Sequence, residues 1–548
     1  MSGIFTTFNT AKRGMFAQQH SINTTSHNIT NANTEGYSRQ RVQLETTPGF
    51  SIPGVGMMGT GVQVSTITRI RDAYLDTQIR YESSIAGQYK ARQEVLEQVE
   101  MIFMEPSDAG LNTLMGRMWD SWQELSKSPE NSNARTIVRE NALTFTDNLN
   151  HMYEQLETLK NDSINLAEKK ALDIHSILDQ VQGLNNQIFK ITIKNEKPND
   201  LMDKRDLLLD QLSDIVDFKS TEDKYGRVTI ESDGNTLLST LKDNEITQEI
   251  SVVRNVEENS DGSADVTLVR GGDSINGVTT LNMSKDEYED FKALFQQGKD
   301  IEGAVILNEK SWDGKLENIS TAKMTSFNMT HGELKGYQSV IDEVGKYQDE
   351  LDGLAKAVAY AVNTIHMDDG SELDGHNAFF VGSDDTGDIN TISAKNIKIH
   401  QDIIDDVGNI NTGKEYPPSS EGDGERALAI AQLRNARLDI LGISNGTEAT
   451  YDEATMTIEN MSGGTTVESY FKDIVAKLGI STQQANRMVD NQGALTGQLI
   501  QRRDSISGVS LDEEIANLVQ FQHAYQANSK VISTLTLMLD TLINGMGV

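Results

Sequence analysis

Apolar residues at both ends of this 548-residue chain recur on a 3.5-residue period, and that pattern limits what the ends can fold into. From the N-terminus the series runs Ile4, Phe8, Ala11, Met15, Gln18, Ile22, Thr25 and Ile29, in alternating steps of four and three. Near the C-terminus it runs Leu518, Phe521, Tyr525, Asn528, Ile532, Leu535, Leu539 and Leu542. Such spacing is the seam of a coiled coil. All seven prolines fall between Pro48 and Pro418, so both series can run as unbroken helices. At ~1.5 Å per residue each would be roughly 40 Å long. A lone amphipathic helix of that length leaves its apolar stripe in water and needs a partner. Two ordinary core helices of one globular domain would carry the same stripes. Gln18, Thr25 and Asn528 are polar seam residues, which fix register at a cost in stability.

The length implies several domains. Cysteine is absent, which removes disulfides, thiolate zinc sites and thiol nucleophiles together. No run approaches 18 apolar residues, so no membrane span is expected. The N-terminus shows no cleavable secretory pattern, since Lys12 and Arg13 lie inside the amphipathic seam. The net charge of −34 is uneven: residues 221–320 and 366–425 each carry about −11. Acidic outer regions disfavour nucleic acid and anionic membranes as partners.

Beyond the Gly36-Tyr37 turn, Ser38–Leu44 and Val62–Ile70 read as strands around a Gly/Pro-rich stretch. Helical periodicity then dominates: Asp72–Met104, Leu111–Lys127, Ala134 to about Ile193, and Asp200–Val216. Short β-rich runs follow at Gly226–Ile230, Gln248–Val256, Ala264–Arg270 and Ala304–Leu307. Helix returns at Gly332–Met367, Glu425–Leu438 and Val467–Gln501. The expected fold class is mostly α with a β-rich insert. It divides into a terminal coiled-coil domain (1–60 with 505–548), a long helical core (61–220 with 332–504), and an outward β-rich domain (221–331). Within the core, 368–466 is rich in loops and strands.

Patterns that invite a catalytic or cofactor role fail on context. Gly54-Val55-Gly56-Met57-Met58-Gly59 fits GxGxxG but opens no helix, so it reads as a turn. The nine histidines form no HExxH. Asp368-Asp369-Gly370 and Asp384–Asp388 lack the spacing and closing Glu of a calcium loop. No P-loop or GxSxG elbow occurs. Catalytic, cofactor and metal residues are therefore all expected to be none.

Two further stretches carry a resemblance. The first is Asn28-Ile29-Thr30-Asn31-Ala32-Asn33-Thr34-Glu35-Gly36-Tyr37-Ser38-Arg39-Gln40 and the second is Ser510–Gln522. Together they resemble the end motifs of the bacterial flagellar axial proteins, the rod, hook and hook-associated family. There an asparagine-rich turn ending in Gly-Tyr follows an N-terminal coil helix. Ser26 and His27 stand where that pattern opens with Ala-Asn. Ser38-Arg39-Gln40, Asn199–Leu207 with Leu212-Ser213, and Gly332-Glu333-Leu334-Lys335-Gly336 resemble the hook-associated members in particular. The motif residues also make local sense: Asn satisfies turn backbone, Gly36 permits positive φ, and Tyr37 can bury its ring with the hydroxyl bonded.

The resemblance implies an extracellular structural adaptor between hook and filament, not an enzyme. It implies as partners like copies in a ring, the hook protein, the next hook-associated junction protein, and the flagellar export apparatus with a chaperone. The seam residues, with Asn28, Asn31, Asn33, Gly36 and Tyr37, would form the assembly interface. The rivals are a hook- or rod-type sibling, against which Ser38-Arg39-Gln40 argues, and a secreted hydrolase inserted at 221–331. The latter lacks a histidine between 221 and 330.

Overall fold

The computed structural model describes residues 2–545 other than 53–55, 104–109, 242–243, 271–276, 296–300, 310–323, 368–377, 416–419, 447–449, 453, 459 and 462. The chain is mostly helical. Helix α1 (Ser2–Thr30) leads into strands β1 (Gln40–Thr46), β2 (Phe50–Ile52), β3 (Gly56–Met58) and β4 (Val62–Arg69). β1 pairs antiparallel with β4, and β2 with β3. Helices α2 (Ala73–Phe103), α3 (Leu111–Lys127), α4 (Ser132–Thr192) and α5 (Asn199–Ile215) follow. Each carries apolar residues at helical spacing; on α3 these are Leu111, Leu114, Met115, Met118, Trp119, Trp122 and Leu125. α4 runs for 61 residues and starts where Asn131 accepts the amide of Asn133 at 2.9 Å, an N-cap.

The insert forms two antiparallel sheets. One orders β5 (Lys219–Glu222), β6 (Val228–Ser232), β7 (Asn235–Ser239) and β8 (Glu245–Ile246) in sequence. The other runs β11-β10-β9-β12-β13, from β9 (Gln248–Glu258), β10 (Ala264–Arg270), β11 (Val278–Met283), β12 (Val305–Glu309) and β13 (Met324–Ser326). Successive residues of β9 face opposite ways, as strand geometry requires. Ile250 and Val252 join the main helical core, while Val253 joins a second small core closed by Tyr288 and Phe291 of α6 (Lys285–Lys292). The insert is thus stitched to α4 rather than appended to it. Asn185, wholly buried on α4, donates to the Val228 carbonyl at 2.9 Å and accepts its amide at 3.1 Å. The Ile250 amide donates to Nε2 of His175 at 2.8 Å, and Arg254 grips Glu168. Removing the insert would expose an apolar face of α4.

The chain then returns along α7 (Glu333–His366). Three short helices follow, α8 (Gln401–Asp405), α9 (Glu425–Gln432) and α10 (Ile440–Ser444). Asn363 of α7 anchors this loop-rich stretch: its Oδ1 accepts both the Phe379 and Phe380 amides at 2.9 Å. Arg426, fully buried, donates to the carbonyls of Ile365, Gly413 and Lys414. Last come α11 (Val467–Ser507) and α12 (Leu511–Gly545). α11 pairs antiparallel with α2: Phe103 stacks on Phe471 at 5.9 Å, and Gln492 bonds Glu82 at 3.1 Å. Twenty-one residues separate these two contacts on each helix, three heptads in step.

The Gly332–Gly336 signature is explained by close approach. Gly332 has φ +111°, and a Cβ there would sit 2.3 Å from the Ile215 carbonyl oxygen. A Cβ on Gly336 would sit 2.5 Å from the Gln88 carbonyl oxygen. These glycines let α7 lie directly against α2 and the end of α5. Gly336→Val should therefore destabilise the chain by about 3 kcal/mol, through overpacking against backbone. Gly183→Ala, on the exposed face of α4 with no neighbour within 4 Å, should stabilise by roughly 0.5–1 kcal/mol. Urea midpoints followed by helical circular dichroism will show the opposite signs; a neutral Gly336→Val would refute the close-packing account.

Candidate assembly interface

The two terminal helices pair with each other. Nδ2 of Asn28 donates to Glu514 Oε2 at 2.9 Å, and Gly14 faces Asn528 so closely that a Cβ would sit 2.9 Å from its Oδ1. Fourteen residues separate these contacts on each helix, so α1 and α12 run antiparallel in a constant register. On α12 the least exposed line is Leu518, Phe521, Tyr525, Asn528, Ile532, Leu535 and Leu539, with Leu535 buried and the rest half-buried. Leu542, near the helix end, is exposed.

On α1 the inward line differs from the apolar seam. The buried residues are Ala11, Gly14, Ala17, Ser21, Thr24, Thr25 and Asn28, all small or polar. Ile4, Phe8, Met15, Gln18, Ile22 and Ile29 are half-buried at the rim of the pair. The physical reason is the close approach at Gly14, which brings the small residues to the contact and pushes the large ones to its flanks. Phe5 and Phe16 on α1 stay exposed, as do Ile515, Val519, Val531, Leu537, Met538 and Ile543 on α12. One pair of helices therefore covers only part of its own apolar surface, and an exposed patch of this kind marks a contact site.

Below the pair lies a polar node where the sequence signatures meet. Asn28, buried to 1% exposure, uses its whole amide. Besides donating to Glu514 it donates to the Gln40 carbonyl at 2.9 Å, and Oδ1 accepts the Tyr37 hydroxyl at 2.8 Å and the Gln40 amide at 3.0 Å. Gly36 makes the reversal possible, with φ +75°, where a side chain is strained, and a Cβ would sit tightly at 3.1 Å from that of Leu207. Burial raises the pKa of the Tyr37 phenol, and Asp200, Asp203 and Glu514 raise it further, so it stays a donor. Asn31 is half-buried and closes the end of α1 by donating to the His27 carbonyl at 3.0 Å; Asn33 is exposed. His27 lies 3.3 Å from Asp200 and edge-on to the Tyr37 ring.

Ser38, Arg39 and Gln40 each hold a different element. The Ser38 amide donates to Asp203 at 3.0 Å on α5. Arg39 donates to Glu514 at 2.8 Å and Glu513 at 3.0 Å on α12, and its amide to the Ser507 carbonyl at 2.9 Å. Gln40 donates to Asp200 at 2.7 Å. Asp203, Asp206 and Asp210 line one face of α5 at steps of three and four. They meet arginines from several segments: Arg69 bonds Asp203 and Asp206 at 2.8 and 2.7 Å, while Arg80 and Arg503 both bond Asp210 at 2.7 Å. Arg71 joins Asp76 at 2.6 Å. Burial opposes ionisation of Asp206, but Arg205, Arg71, Arg69 and Arg80 outweigh it and hold its pKa down at about 2. Sequence reasoning named Ala11, Thr25 and Asn28 on α1 and Arg39, but missed Gly14, Ala17, Ser21 and Thr24 and the arginines Arg69, Arg71, Arg80 and Arg503. A usable signal was the Arg69, Arg71, Arg80 cluster in an acidic chain carrying an Asp203-x-x-Asp206-x-x-x-Asp210 stripe.

Nothing in this arrangement is a nucleophile with a base. Among the described residues no group of three or more His, Asp or Glu is placed to hold a metal ion. Asp384 and Asp388 fold into local turns, accepting from Thr386 and Asn390; Asp368-Asp369-Gly370 lies outside the described residues. Of the Gly54–Gly59 stretch, Gly56–Met58 is strand β3, and Gly54 and Val55 lie outside the described residues. No described helix is long and apolar enough to cross a membrane.

Residues 96–285 match the flagellar hook-associated protein FlgK helical domain. Residues 8–37 match the flagella basal body rod protein family, and 500–545 the flagellar basal body rod FlgEFG protein C-terminal family, the same segments that build the terminal pair and its node. Flagellar hook-associated protein 1 of Bacillus subtilis is 30% identical over 565 aligned positions, covering 100% of this chain and 99% of the relative. The chain belongs to the flagellar hook-associated protein 1 family. Its role is that of a structural flagellar protein. The relatives of the same name in Salmonella typhimurium and Escherichia coli K12 are 24% identical, over 98% of this chain and 99% of theirs. The solved flagellar hook junction protein FlgK from Burkholderia pseudomallei shares the fold at a TM-score of 0.53 and 13% identity, over 79% of this chain and 100% of that one.

The node gives stability a defined acid dependence. Asp206 has a folded pKa below its ordinary 3.8, so its contribution is present above about pH 4 and is lost as pH falls through about 2. Asp206→Asn should cost roughly 2–3 kcal/mol at pH 7. The deficit against the parent should shrink when urea midpoints are compared at pH 2.5; a deficit that stays constant would rule out the charge origin.

Proposed function

We propose that this chain is the structural adaptor between flagellar hook and filament, acting as a ring of like copies held together by their terminal helices. The observation that carries this reading is the α1–α12 pair. It is internally registered yet leaves Phe5, Phe16, Val519, Val531, Leu537 and Met538 uncovered, a surface for neighbouring copies to complete. The assembly interface then comprises the half-buried rim, Ile4, Phe8, Met15, Ile22 and Ile29, with Leu518, Phe521, Tyr525, Ile532, Leu535, Leu539 and Leu542. Asn28, Asn31, Asn33, Gly36 and Tyr37 set the direction in which the core leaves the pair. In this reading the terminal helices form the inner unit, the α2–α5, α7 and α11 bundle the middle one, and the two sheets project outward. The partners are the hook protein on one side and the next hook-associated protein on the other, with delivery by the flagellar export apparatus and a chaperone to the outside of the cell. The work is done by packing, not by catalysis. A strain lacking the gene should make intact hooks and shed its filaments into the medium, as seen by electron microscopy.

Leu535 tests the pair itself. It is the buried apolar residue of α12, and its neighbour Thr534 is exposed. Leu535→Asp forfeits roughly 1.5–3 kcal/mol of apolar burial and adds a desolvation cost of several kcal/mol in every copy. Cells with Leu535→Asp should secrete the protein yet lack filaments, while Thr534→Asp cells keep them. Equal outcomes for the two variants would dismiss the helical seam as the assembly contact.

A further inference from the structure

The contacts described so far leave one segment unused, the β2–β3 hairpin that contains the glycine-rich stretch. No charged residue occurs between Glu45 and Arg69, in a chain whose net charge is −34. The hairpin exposes large apolar side chains: Met57 at 78%, Met58 at 46% and Phe50 at 41%. Its base is fixed to α1. A Cβ on Gly61 would lie 3.3 Å from the Thr10 Cα, Thr47 and Thr60 share a 2.6 Å hydroxyl bond, and Arg13 reaches the Thr60 carbonyl at 3.5 Å.

The terminal pair carries a matching surface close to the base of the hairpin. With Gly14 opposite Asn528 and the helices antiparallel, Thr10 lies level with Ile532. From Val531 to Gly545, α12 carries a single charge, Asp540. Its outward face there shows Val531, Leu537, Met538 and Ile543. Both sets remain exposed with α1, α12 and the hairpin all in place, so within one copy neither covers the other.

We propose that the exposed apolar face of the β2–β3 strands of one copy, Phe50, Met57 and Met58, docks on the Val531–Ile543 face of α12 in the next copy around the ring. This rests on the reading of the chain as a ring former. Copies with net charge −34 repel one another, and a contact free of charged side chains on the hairpin, with one on the helix, is where they can close without that cost. The two methionines of β3 adapt their shape to a helix face. The contact is heterologous, a hairpin on one copy against a helix on its neighbour.

The chain has no cysteine, so a designed pair reports without background. Copies carrying both Met57→Cys and Met538→Cys, assembled in purified flagella and oxidised with diamide, should run as a ladder of linked copies on a non-reducing gel. Copies with either substitution alone should run as monomers. Only monomers from flagella that contain the double variant would overturn the proposal while leaving the ring reading intact. Independently, Met57→Asp should reduce the amount of the chain retained per flagellum at least tenfold, and Met57→Leu should leave it near the parent level. Full retention of Met57→Asp would also overturn the proposal. Absence of the unaltered chain from isolated hook–filament junctions would instead overturn the ring reading itself.

Discussion

The structure depends on the ionised carboxylates of α5 and the arginines gathered around them. Buried charges are costly unless paired and hydrogen-bonded. Asp206 meets this condition with the guanidiniums of Arg69, Arg71, Arg80 and its neighbour Arg205, while Asp203 takes Arg69 and Asp210 takes Arg80 and Arg503. Because Arg69, Arg71, Arg80 and Arg503 come from β4, the turn after it, α2 and α11, a single helix face draws the central bundle together. Arg39 continues the network onto Glu513 and Glu514, so the start of α12 belongs to it as well.

That arrangement explains how two terminal helices, far apart in sequence, leave the core as one unit. Only two short crossings join the pair to the rest of the chain, the turn around Gly36 and the Gly508–Ser510 link. Both are pinned at the node, the first by the Ser38 amide on Asp203 besides Asn28 and Tyr37, the second by Arg39, whose guanidinium holds Glu513 and Glu514 and whose amide holds Ser507. A structural adaptor has to transmit force between its ends. Short crossings held by charge-assisted bonds suit that demand better than a flexible linker, since such bonds are directional and about twice as strong as neutral ones.

Much of this was legible in the chain before any coordinates. The helices α3, α4, α5 and α7 lie within one or two residues of where apolar periodicity puts them, because that signal is strong in long amphipathic segments. Strands β9 and β10 were also visible, from β-branched runs between Gly and Asp turns. The inward face of α1 was not. The periodic signal followed was that of large apolar residues, whereas Gly14, Ala17, Ser21 and Thr24 create the contact by being small, and such residues carry no hydrophobic contrast to mark their repeat. The burial of the insert against α4 was equally hidden, since Asn185 and His175 look like ordinary polar helix residues until Val228 and Ile250 arrive beside them.

By itself the sequence determined the helical ends, their 3.5-residue spacing, the turn at Gly36-Tyr37, the absence of thiol chemistry, and the membership that its motifs announce. These are local properties, set by side-chain type and neighbour spacing. Tertiary structure alone decided which residues of α1 meet α12, which arginine takes which aspartate, and that the signatures at 28–40, 199–213 and 510–522 form one node. Those are questions of register and partner choice between segments hundreds of residues apart. Close approach of backbones and the pairing of buried charges answer them, and both appear only when the chain has folded.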